Sequence, residues 1–247
     1  MFTEENTNIE AIQYLSTKYK DIININTQDT TGNTALMLAV QNTNIKAIQY
    51  LSTKYKNSID INIQNNDGYT ALMLAVQNGN VEVIQLICDV FKDSTRINTQ
   101  DKKGNTALIL AVKAINIEAI QLICDAFKDS IDINTQDNGG YTALMLAVKS
   151  TNIEVIQLIC NTFKDSIDIN TQENGGNTAL IIAVKAINIK VIQLLCDVFK
   201  DSTRINTKDN GGNTALILAV ESTNIEVIQL LCHTFKDSID INKQNTN

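Results

Sequence analysis

Cysteine is the most reactive residue type in this chain, and its five copies stand 36 residues apart, at Cys88, Cys124, Cys160, Cys196 and Cys232. A thiolate becomes a catalytic nucleophile when a base lies within reach, and the single histidine, His233, directly follows Cys232. Neighbouring residues of a helix, however, point about 100° apart and do not face each other. The same cysteine also recurs at four positions that lack a histidine. We therefore predict no catalytic pair and no enzyme activity.

The regular spacing of the cysteines favours a place in the protein core. A disulfide needs Cα atoms within about 7 Å, whereas packed helix axes lie roughly 8–10 Å apart. Apart from His233 beside Cys232, no second cysteine or histidine lies near any copy to complete a metal site. Ser16 and Ser52 occupy the equivalent positions nearer the N-terminus. We interpret the cysteines as small buried residues in a reducing compartment, and we expect neither a metal nor a cofactor.

Three glycine pairs precede predicted helices, which is where a phosphate-binding loop would lie. They are Gly139–Gly140, Gly175–Gly176 and Gly211–Gly212. None has the G-x-G-x-x-G spacing or the lysine of a Walker loop. We interpret them as turn glycines.

The elements that position these residues come from an internal repeat. The segment from Gly104 to Val112, GNTALILAV, has close copies beginning at Gly32, Gly68, Gly140, Gly176 and Gly212. A fixed period of 36 residues is typical of stacked repeat proteins, in which each unit packs only on its neighbours.

The unit from Asn98 to Ile133 begins with a turn and a short helix. Gly104 is the turn position expected to need a positive φ, and Thr106 is a candidate N-cap. Apolar residues then follow at helical spacing, i, i+3, i+4 and i+7, and are predicted to form one buried stripe: Leu108, Ala111, Val112 and Ile115.

A second helix follows, with Asn116 as its predicted N-cap. Its apolar stripe has the same spacing and ends at Phe127. The segment SIDIN is then predicted to be extended, because its apolar residues alternate. Each unit is thus expected to contain a turn, two helices and a short extended return.

Composition limits the functional classes. A net charge of -7 argues against a protein that binds nucleic acid or a membrane surface through general electrostatics, and it favours a monomer. No apolar run approaches the ~20 residues of a membrane span. The N-terminus has no secretory signal, and the chain has no N-glycosylation sequon. We expect an intracellular, cytoplasmic protein.

The pattern G-x-T-A-L-x-x-A, followed by N-I/V-E/K-x-I-Q-L and D-I-N, resembles the ankyrin repeat. The resemblance covers essentially all of residues 1–247 and implies one all-α domain. We expect an α-solenoid of helix-turn-helix repeats with short β-turn or hairpin connections. A partial repeat at 1–26 would precede six repeats whose first helices start near residues 34, 70, 106, 142, 178 and 214.

Three departures from the family pattern concern stacking rather than function. Alanine replaces the proline of the T-P-L-H signature, an apolar residue replaces its histidine, and the period is three residues longer than the usual 33. We predict that the additional residues lengthen the second helix by about one turn, anchored by phenylalanines such as Phe127. The asparagine column that includes Asn98 and Asn134 aligns with the family residue that bonds across the turn, and the same structural role is expected here.

In the ankyrin family the partner usually contacts a concave face made of the turn tips and the exposed side of the first helices. The resemblance therefore implies a partner-binding set in which two tyrosines replace asparagine and several lysines gather on an otherwise acidic chain. Its members are Tyr69, Lys102, Lys103, Lys113, Tyr141, Lys149 and Lys185. We predict a groove for another protein or peptide, of acidic character, and the alternative is a face that only keeps the protein soluble.

The leading functional prediction is a non-catalytic interaction scaffold. One alternative is a structural or regulatory segment of a longer protein, acting as a spacer, a spring or an intramolecular clamp. The bias toward Asn, Ile and Lys suggests an AT-rich genome, so a host-directed effector in the host cytoplasm is a further alternative. The chain ends with a turn begun at Asn242, and it remains open whether this half-turn caps the array or a longer array continues.

Overall fold

The structure is a computed structural model, and it describes residues 13, 14, 18, 24–92, 96–201 and 203–240. Most of the predicted partial repeat at 1–26 and all of residues 241–247 lie outside this part of the chain. The chain divides into two compact units, 1–131 and 132–247, which are described separately below. A single domain over 1–247 stays a prediction.

The first unit contains three helix pairs among its described residues. They are α1 (Ala35–Gln41), α2 (Ile45–Lys54), α3 (Ala71–Asn78), α4 (Val81–Phe91), α5 (Ala107–Lys113) and α6 (Ile117–Phe127). Each first helix packs on the first helix of the next pair, and each second helix on the next second helix. The pairs therefore stack in chain order.

The second unit repeats this arrangement. Its helices are α7 (Ala143–Lys149), α8 (Ile153–Phe163), α9 (Ala179–Lys185), α10 (Ile189–Phe199), α11 (Ala215–Glu221) and α12 (Ile225–Thr234). The described residues contain no strand, and turns connect the helices. The predicted all-α class of helix-turn-helix repeats is confirmed.

The first helices begin at the predicted threonine caps. Thr106 has extended backbone, and its Oγ1 accepts a hydrogen bond from the Ile109 N–H at 3.2 Å. Every other first helix has the equivalent threonine cap. The cap satisfies one of the backbone donors that a helix leaves unpaired at its start.

The second helices begin at asparagine and bury one face. Asn116 Oδ1 accepts a hydrogen bond from the Ala119 N–H at 3.0 Å, as predicted. Phe127 is the last residue of α6 and is 3% exposed. The Ser130 and Ile131 N–H groups both donate to its carbonyl oxygen and close the following turn. The phenylalanine anchor is confirmed, and the greater length of this helix relative to the 33-residue pattern stays a prediction.

Two expectations about the ends of these helices are wrong. Ile115 does not continue the apolar stripe of α5, because the helix ends at Lys113 and Ile115 is 44% exposed. The SIDIN segment is not extended throughout, because a tight turn begins at Asp132. In that turn the Thr135 N–H donates to the Asp132 carbonyl oxygen, and the Asn134 N–H donates to Asp132 Oδ1. Aspartate side chains that bond the backbone two residues ahead favour a turn over a strand.

The asparagine column joins each repeat to the next. In the second unit, Asn134 Nδ2 donates to the Ser166 carbonyl oxygen at 2.7 Å, and Asn134 Oδ1 accepts from the Asp168 N–H at 2.8 Å. Asn26 makes the same two bonds to the following repeat in the first unit. The predicted structural role is confirmed, and its partners lie one repeat further along the chain.

Candidate partner-binding face

Each turn tip is closed by one carboxylate or amide. In the second unit, Asp137 Oδ1 accepts hydrogen bonds from the N–H groups of Gly139 and Tyr141, at 2.9 and 3.0 Å. The Gly140 N–H donates to the Asp137 carbonyl oxygen, and Gly140 has φ +81°. The predicted positive φ at the turn glycines, including Gly104, is confirmed. The tip is thus held in one backbone conformation.

Hydrogen bonds also join successive tips, and we call this set the turn ladder. The N–H and Nδ2 of Asn174 donate to the carbonyl oxygens of Gly139 and Asn138, at 3.1 and 3.0 Å. Gln136 Nε2 donates to the Gln172 carbonyl oxygen at 2.9 Å. Asn66 makes the equivalent bonds to the preceding tip in the first unit. Because neighbouring tips are fixed to each other, they present a preorganised surface.

Tyr141 and Lys149, two of the predicted partner-binding residues, lie together in the second unit. Lys149 Nζ is 4.5 Å from the centroid of the Tyr141 ring and 3.5 Å from its hydroxyl oxygen. Tyr141 is half-buried and Lys149 is exposed. A cation at this distance over an aromatic face is attracted to it, so the ring helps to orient the ammonium group.

Lys185 has a different environment. Its Nζ lies 2.8 Å from Asp209 Oδ2 and 2.6 Å from Asn177 Oδ1. The Lys185 side chain is 42% exposed, whereas that of Asp209 is 5% exposed. Asp209 belongs to the turn of the following repeat. The contact therefore joins two successive repeats, and the ammonium group of Lys185 is already paired with a carboxylate.

The first unit contains the remaining predicted residues. Lys113 Nζ donates to Asn105 Oδ1, and Lys102 and Lys103 are exposed at the tip of the same turn. Tyr69 is half-buried in the preceding turn, where its N–H donates to Asn65 Oδ1. The alignment of Lys113 with Lys149 and Lys185 stays a prediction.

Three repeats share a side-chain contact that the sequence analysis did not predict. Each lysine at the end of a first helix reaches the residue eight positions earlier, which is Asn105, Tyr141 or Asn177. The sequence did contain a signal for it, because in these three repeats an asparagine or tyrosine of the turn lies eight residues before the lysine. The role of Asp209 could not be found in this way, since it depends on how successive repeats stack.

Two carboxylates of this face stay ionised despite their environment. Burial raises the pKa of Asp209, but hydrogen bonds from Lys185 Nζ and from the N–H groups of Asn213 and Gly211 outweigh it, so the pKa is lowered overall. The pKa of Glu173 is likewise raised by burial and lowered overall by bonds from Gly175 and Asn177. Their stabilising contribution is present above the ordinary carboxyl pKa and is lost as the pH falls through the lowered value.

The cysteines do not form a chemical site. Burial raises the pKa of Cys88, Cys124 and Cys160 to about 12 and that of Cys196 to about 11, so their thiols stay protonated near neutral pH. Cys232 is half-buried and His233 is exposed. Within the part of the chain that the structure describes, no group of three His, Cys, Asp or Glu residues is arranged to hold a metal ion.

These turns and helix pairs define a class of α-helical repeat protein. The sequence model described as "Ankyrin repeats (3 copies)" matches residues 1–96, 90–173 and 161–245. The chain belongs to the ankyrin repeat family. None of the curated protein sequences compared with it matches significantly. No helix among the described residues is long and apolar enough to cross a membrane.

Solved structures support the same fold. The ankyrin repeat domain of Bcl-3, described as a unique member of the IkappaB protein family, is 25% identical with a TM-score of 0.69, and 82% of this chain covers 86% of it. The ankyrin repeat protein EF0377 is 22% identical with a TM-score of 0.68, and 83% of this chain covers 98% of it.

A third similar structure is a complex. It contains the predatory endopeptidase Bd0816 from Bdellovibrio bacteriovorus with the immunity protein Bd3460. The matched chain is 24% identical with a TM-score of 0.61, and 84% of this chain covers 99% of it. At this identity the likeness concerns the fold.

Proposed function

We propose that this protein is a non-catalytic scaffold that binds another protein through the face formed by its turn tips and first helices. The observation that carries the proposal is the Tyr141–Lys149 pair, in which an exposed ammonium group lies over a half-buried ring on a preorganised turn. Tyrosine is enriched among the residues that dominate binding energy at protein interfaces. Ankyrin repeats typically serve as protein–protein interaction modules, which agrees with this use.

The partner is an acidic peptide or protein surface. Five exposed lysines belong to the candidate face of a chain whose net charge is -7: Lys102, Lys103, Lys113, Lys149 and Lys185. Exposed positive charge favours a partner surface of the opposite sign. Tyr69 and Tyr141 supply the aromatic contacts. The same net charge opposes nucleic acid as the partner and supports a protein that acts as a monomer.

The lysines are not equivalent. A partner carboxylate that binds Lys185 competes with Asp209, which already lies 2.8 Å from the ammonium nitrogen. Lys149 is held by an aromatic ring, which orients the positive charge without neutralising it. We therefore expect Lys149 to contribute more to binding than Lys185.

The buried thiols support a proposal for the compartment. Four free cysteines are buried, and their positions in the core suit a reducing environment. We place the protein in the cytoplasm.

The test compares two triple variants that change the net charge equally. Lys113, Lys149 and Lys185 become Glu in the first, whereas Lys128, Lys164 and Lys200, exposed residues that directly follow second helices, become Glu in the second. Each variant and the wild type are used to capture proteins from the source cells, and the affinity of the captured partner is measured.

We expect the first variant to bind the partner roughly tenfold more weakly or worse, because attractive contacts become repulsive. The second variant is expected to bind like the wild type. Equal affinity of the first variant and the wild type would exclude the proposed face, and equal losses in both variants would show a general charge effect.

A further inference from the structure

Five of the six described turn tips are closed by a single side-chain oxygen. In each, one Oδ1 atom accepts hydrogen bonds from the backbone N–H groups two and four residues ahead, and the residues concerned are Asp29, Asn65, Asp101, Asp137 and Asp209. An aspartate that closes its turn in this way keeps its second carboxylate oxygen for another donor. Asp209 uses that oxygen, Oδ2, to bind Lys185 Nζ at 2.8 Å.

Glu173 closes the remaining turn with both of its carboxylate oxygens. The Gly175 N–H donates to Oε2 at 2.8 Å, and the Asn177 N–H donates to Oε1 at 3.0 Å. Asn177 Nδ2 donates to Oε1 as well. The glutamate is buried, with 8% of its surface exposed. Because its side chain is one methylene longer than that of aspartate, the carboxylate bridges the two N–H groups, and both oxygens are engaged inside their own turn.

The lysines that precede these two turns differ in the same way. Lys149 and Lys185 end equivalent first helices, and Glu173 and Asp209 each lie 24 residues later, in the turn of the following repeat. Lys185 is bound to Asp209, whereas Lys149 makes no ion pair among the described residues and lies over the Tyr141 ring. The oxygen that Asp209 offers to its lysine has no counterpart at Glu173.

We propose that Glu173 is a positioning residue that keeps the Lys149 ammonium group available to a carboxylate of the partner. This rests on the proposed function and gives the acidic group of the partner a definite place, Lys149, within the candidate face. The partner carboxylate takes the role that Asp209 has at Lys185, as the acceptor of a charge-assisted hydrogen bond. The glutamate thus determines at which repeat the acidic group binds.

The test uses variants that leave the net charge unchanged. Glu173→Asp installs the residue type that closes the next turn, so one oxygen should hold both N–H groups and the other should pair with Lys149. The reciprocal Asp209→Glu should release Lys185 from its ion pair in the same way. The double variant Glu173→Asp/Asp209→Glu has the composition of the wild type and moves the unpaired lysine from one repeat to the next.

The availability of each ammonium group can be measured without a partner. Trace acetylation followed by mass spectrometry reports how readily Lys149 and Lys185 react, because an ion pair stabilises the unreactive ammonium form. We expect Lys149 to react faster than Lys185 in the wild type, and we expect the reverse order in the double variant. The same order in both proteins would overturn the role of Glu173.

Binding is measured with purified peptides that have been selected on the wild-type protein from a displayed library of random sequences. We expect peptides that carry carboxylates, and we expect Glu173→Asp to bind them about fivefold more weakly with an unchanged urea midpoint. Glu173→Asn is the matched control, because it shortens the side chain equally and can close the turn as Asn65 does, but it has no second anionic oxygen. It should bind like the wild type.

The outcomes distinguish this inference from the proposed function. Full affinity of Glu173→Asp, together with a loss of affinity in Lys149→Met, would overturn the role of Glu173 and leave the proposed face intact. Equal losses in the aspartate and asparagine variants would assign the effect to the shape of the turn and would also contradict the inference. Peptides that bind the Lys113/Lys149/Lys185→Glu variant with full affinity would overturn the face itself.

Discussion

Cys88, Cys124, Cys160 and Cys196 lie in the core on the second helices, whereas Cys232 in the last described pair is half-buried. Burial raises the pKa of all four thiols, and for Cys124 the neighbouring Asp125 adds a like charge that further opposes the thiolate. At the scale of single residues, these thiols stay protonated in the folded protein. The stability of the fold therefore depends on pH in the alkaline range.

This sensitivity gives a prediction for pH dependence. The pKa of Cys124 is about 12 in the folded protein, against an ordinary thiol value of 9.0. Between these values the unfolded chain releases a proton that the folded protein retains, so the free energy of unfolding falls as the pH rises. The slope approaches about 1.4 kcal/mol per pH unit for each buried thiol. Urea unfolding measured at a series of alkaline pH values should show this decline.

The control for the alkaline effect is already suggested by the chain, since Ser52 occupies the cysteine position in its own repeat. A Cys124→Ser/Cys160→Ser variant should lose part of the pH slope while remaining folded at neutral pH. Parallel slopes for the variant and the wild type would contradict the assignment of the effect to the thiols.

A second prediction at this scale concerns the buried hydroxyl groups of Ser52 and Tyr55. Ser52 Oγ and the Tyr55 hydroxyl are buried and have no hydrogen-bond partner among the described residues, and their equivalents are Cys88 and Phe91. A buried polar group without a partner costs roughly 1–3 kcal/mol. Ser52→Cys/Tyr55→Phe should therefore raise the free energy of unfolding, measured in urea, by on the order of 1 kcal/mol or more. Tyr50→Phe is the control because that hydroxyl accepts a bond from Lys54 Nζ, and it should bring no gain.

At the scale of elements, the turn glycines combine two constraints. Gly176 has φ +78°, and a Cβ on it would lie 2.7 Å from the Asn210 backbone nitrogen and 2.5 Å from Asn210 Oδ1. Gly79 also has a positive φ, +67°, but a Cβ there would meet nothing within 4 Å. The turn glycine is therefore required both for its own backbone and for the close approach of the next turn.

Alanine substitution separates these constraints. Gly79→Ala should lower the free energy of unfolding by about 1 kcal/mol, because only the left-handed backbone conformation opposes the alanine. Gly176→Ala should lower the free energy of unfolding by about 3 kcal/mol or more, because the turn ladder must also shift. Chemical denaturation of both variants checks the difference, and equal losses would mean that the second constraint is absent.

Some features of the helices and turns could be predicted from the sequence, and others could not. Helix caps such as Thr106 and turn glycines such as Gly104 could be predicted, because their roles depend on residue type and local spacing. The exposure of Ile115 could not be predicted, since its helical spacing was compatible with burial, whereas in the structure it lies after the end of α5 with left-handed backbone, φ +52°. The Lys185–Asp209 contact depends on the approach of two repeats, which no single repeat sequence contains.

At the scale of the molecule, each helix pair is stabilised by its neighbours within its unit. Val184 of α9 is 2% exposed because α11 packs on its helix, whereas the equivalent Val220 of α11 is 54% exposed. Ile192 is fully buried, and the equivalent Ile228 is half-buried. The last described pair thus lacks the apolar contacts that every earlier pair of this unit has on its far side.

This difference predicts unequal local stability. Amide hydrogen exchange followed by mass spectrometry should be faster in α11 and α12 than in α9 and α10, because among the described residues the last pair packs on one neighbouring pair and α9 and α10 pack on two. A Val220→Ser substitution should leave this order unchanged, since Val220 contributes little burial. Equal protection of both pairs would contradict the nearest-neighbour account.

The turn ladder has a consequence for chemical ageing. Asn138, Asn174 and Asn210 each precede a glycine, the sequence in which asparagine loses ammonia most readily through attack by the following backbone nitrogen. In the folded turn the Gly175 N–H is held by Glu173 Oε2 at 2.8 Å, and Asn174 Nδ2 is held by the Asn138 carbonyl oxygen. These two bonds hold the Gly175 nitrogen and the Asn174 side-chain amide apart. Deamidation at these turns should thus record the time that a molecule has spent unfolded. At Asn174 and Asn210 each event would place a carboxylate against the carbonyl oxygen of the preceding turn.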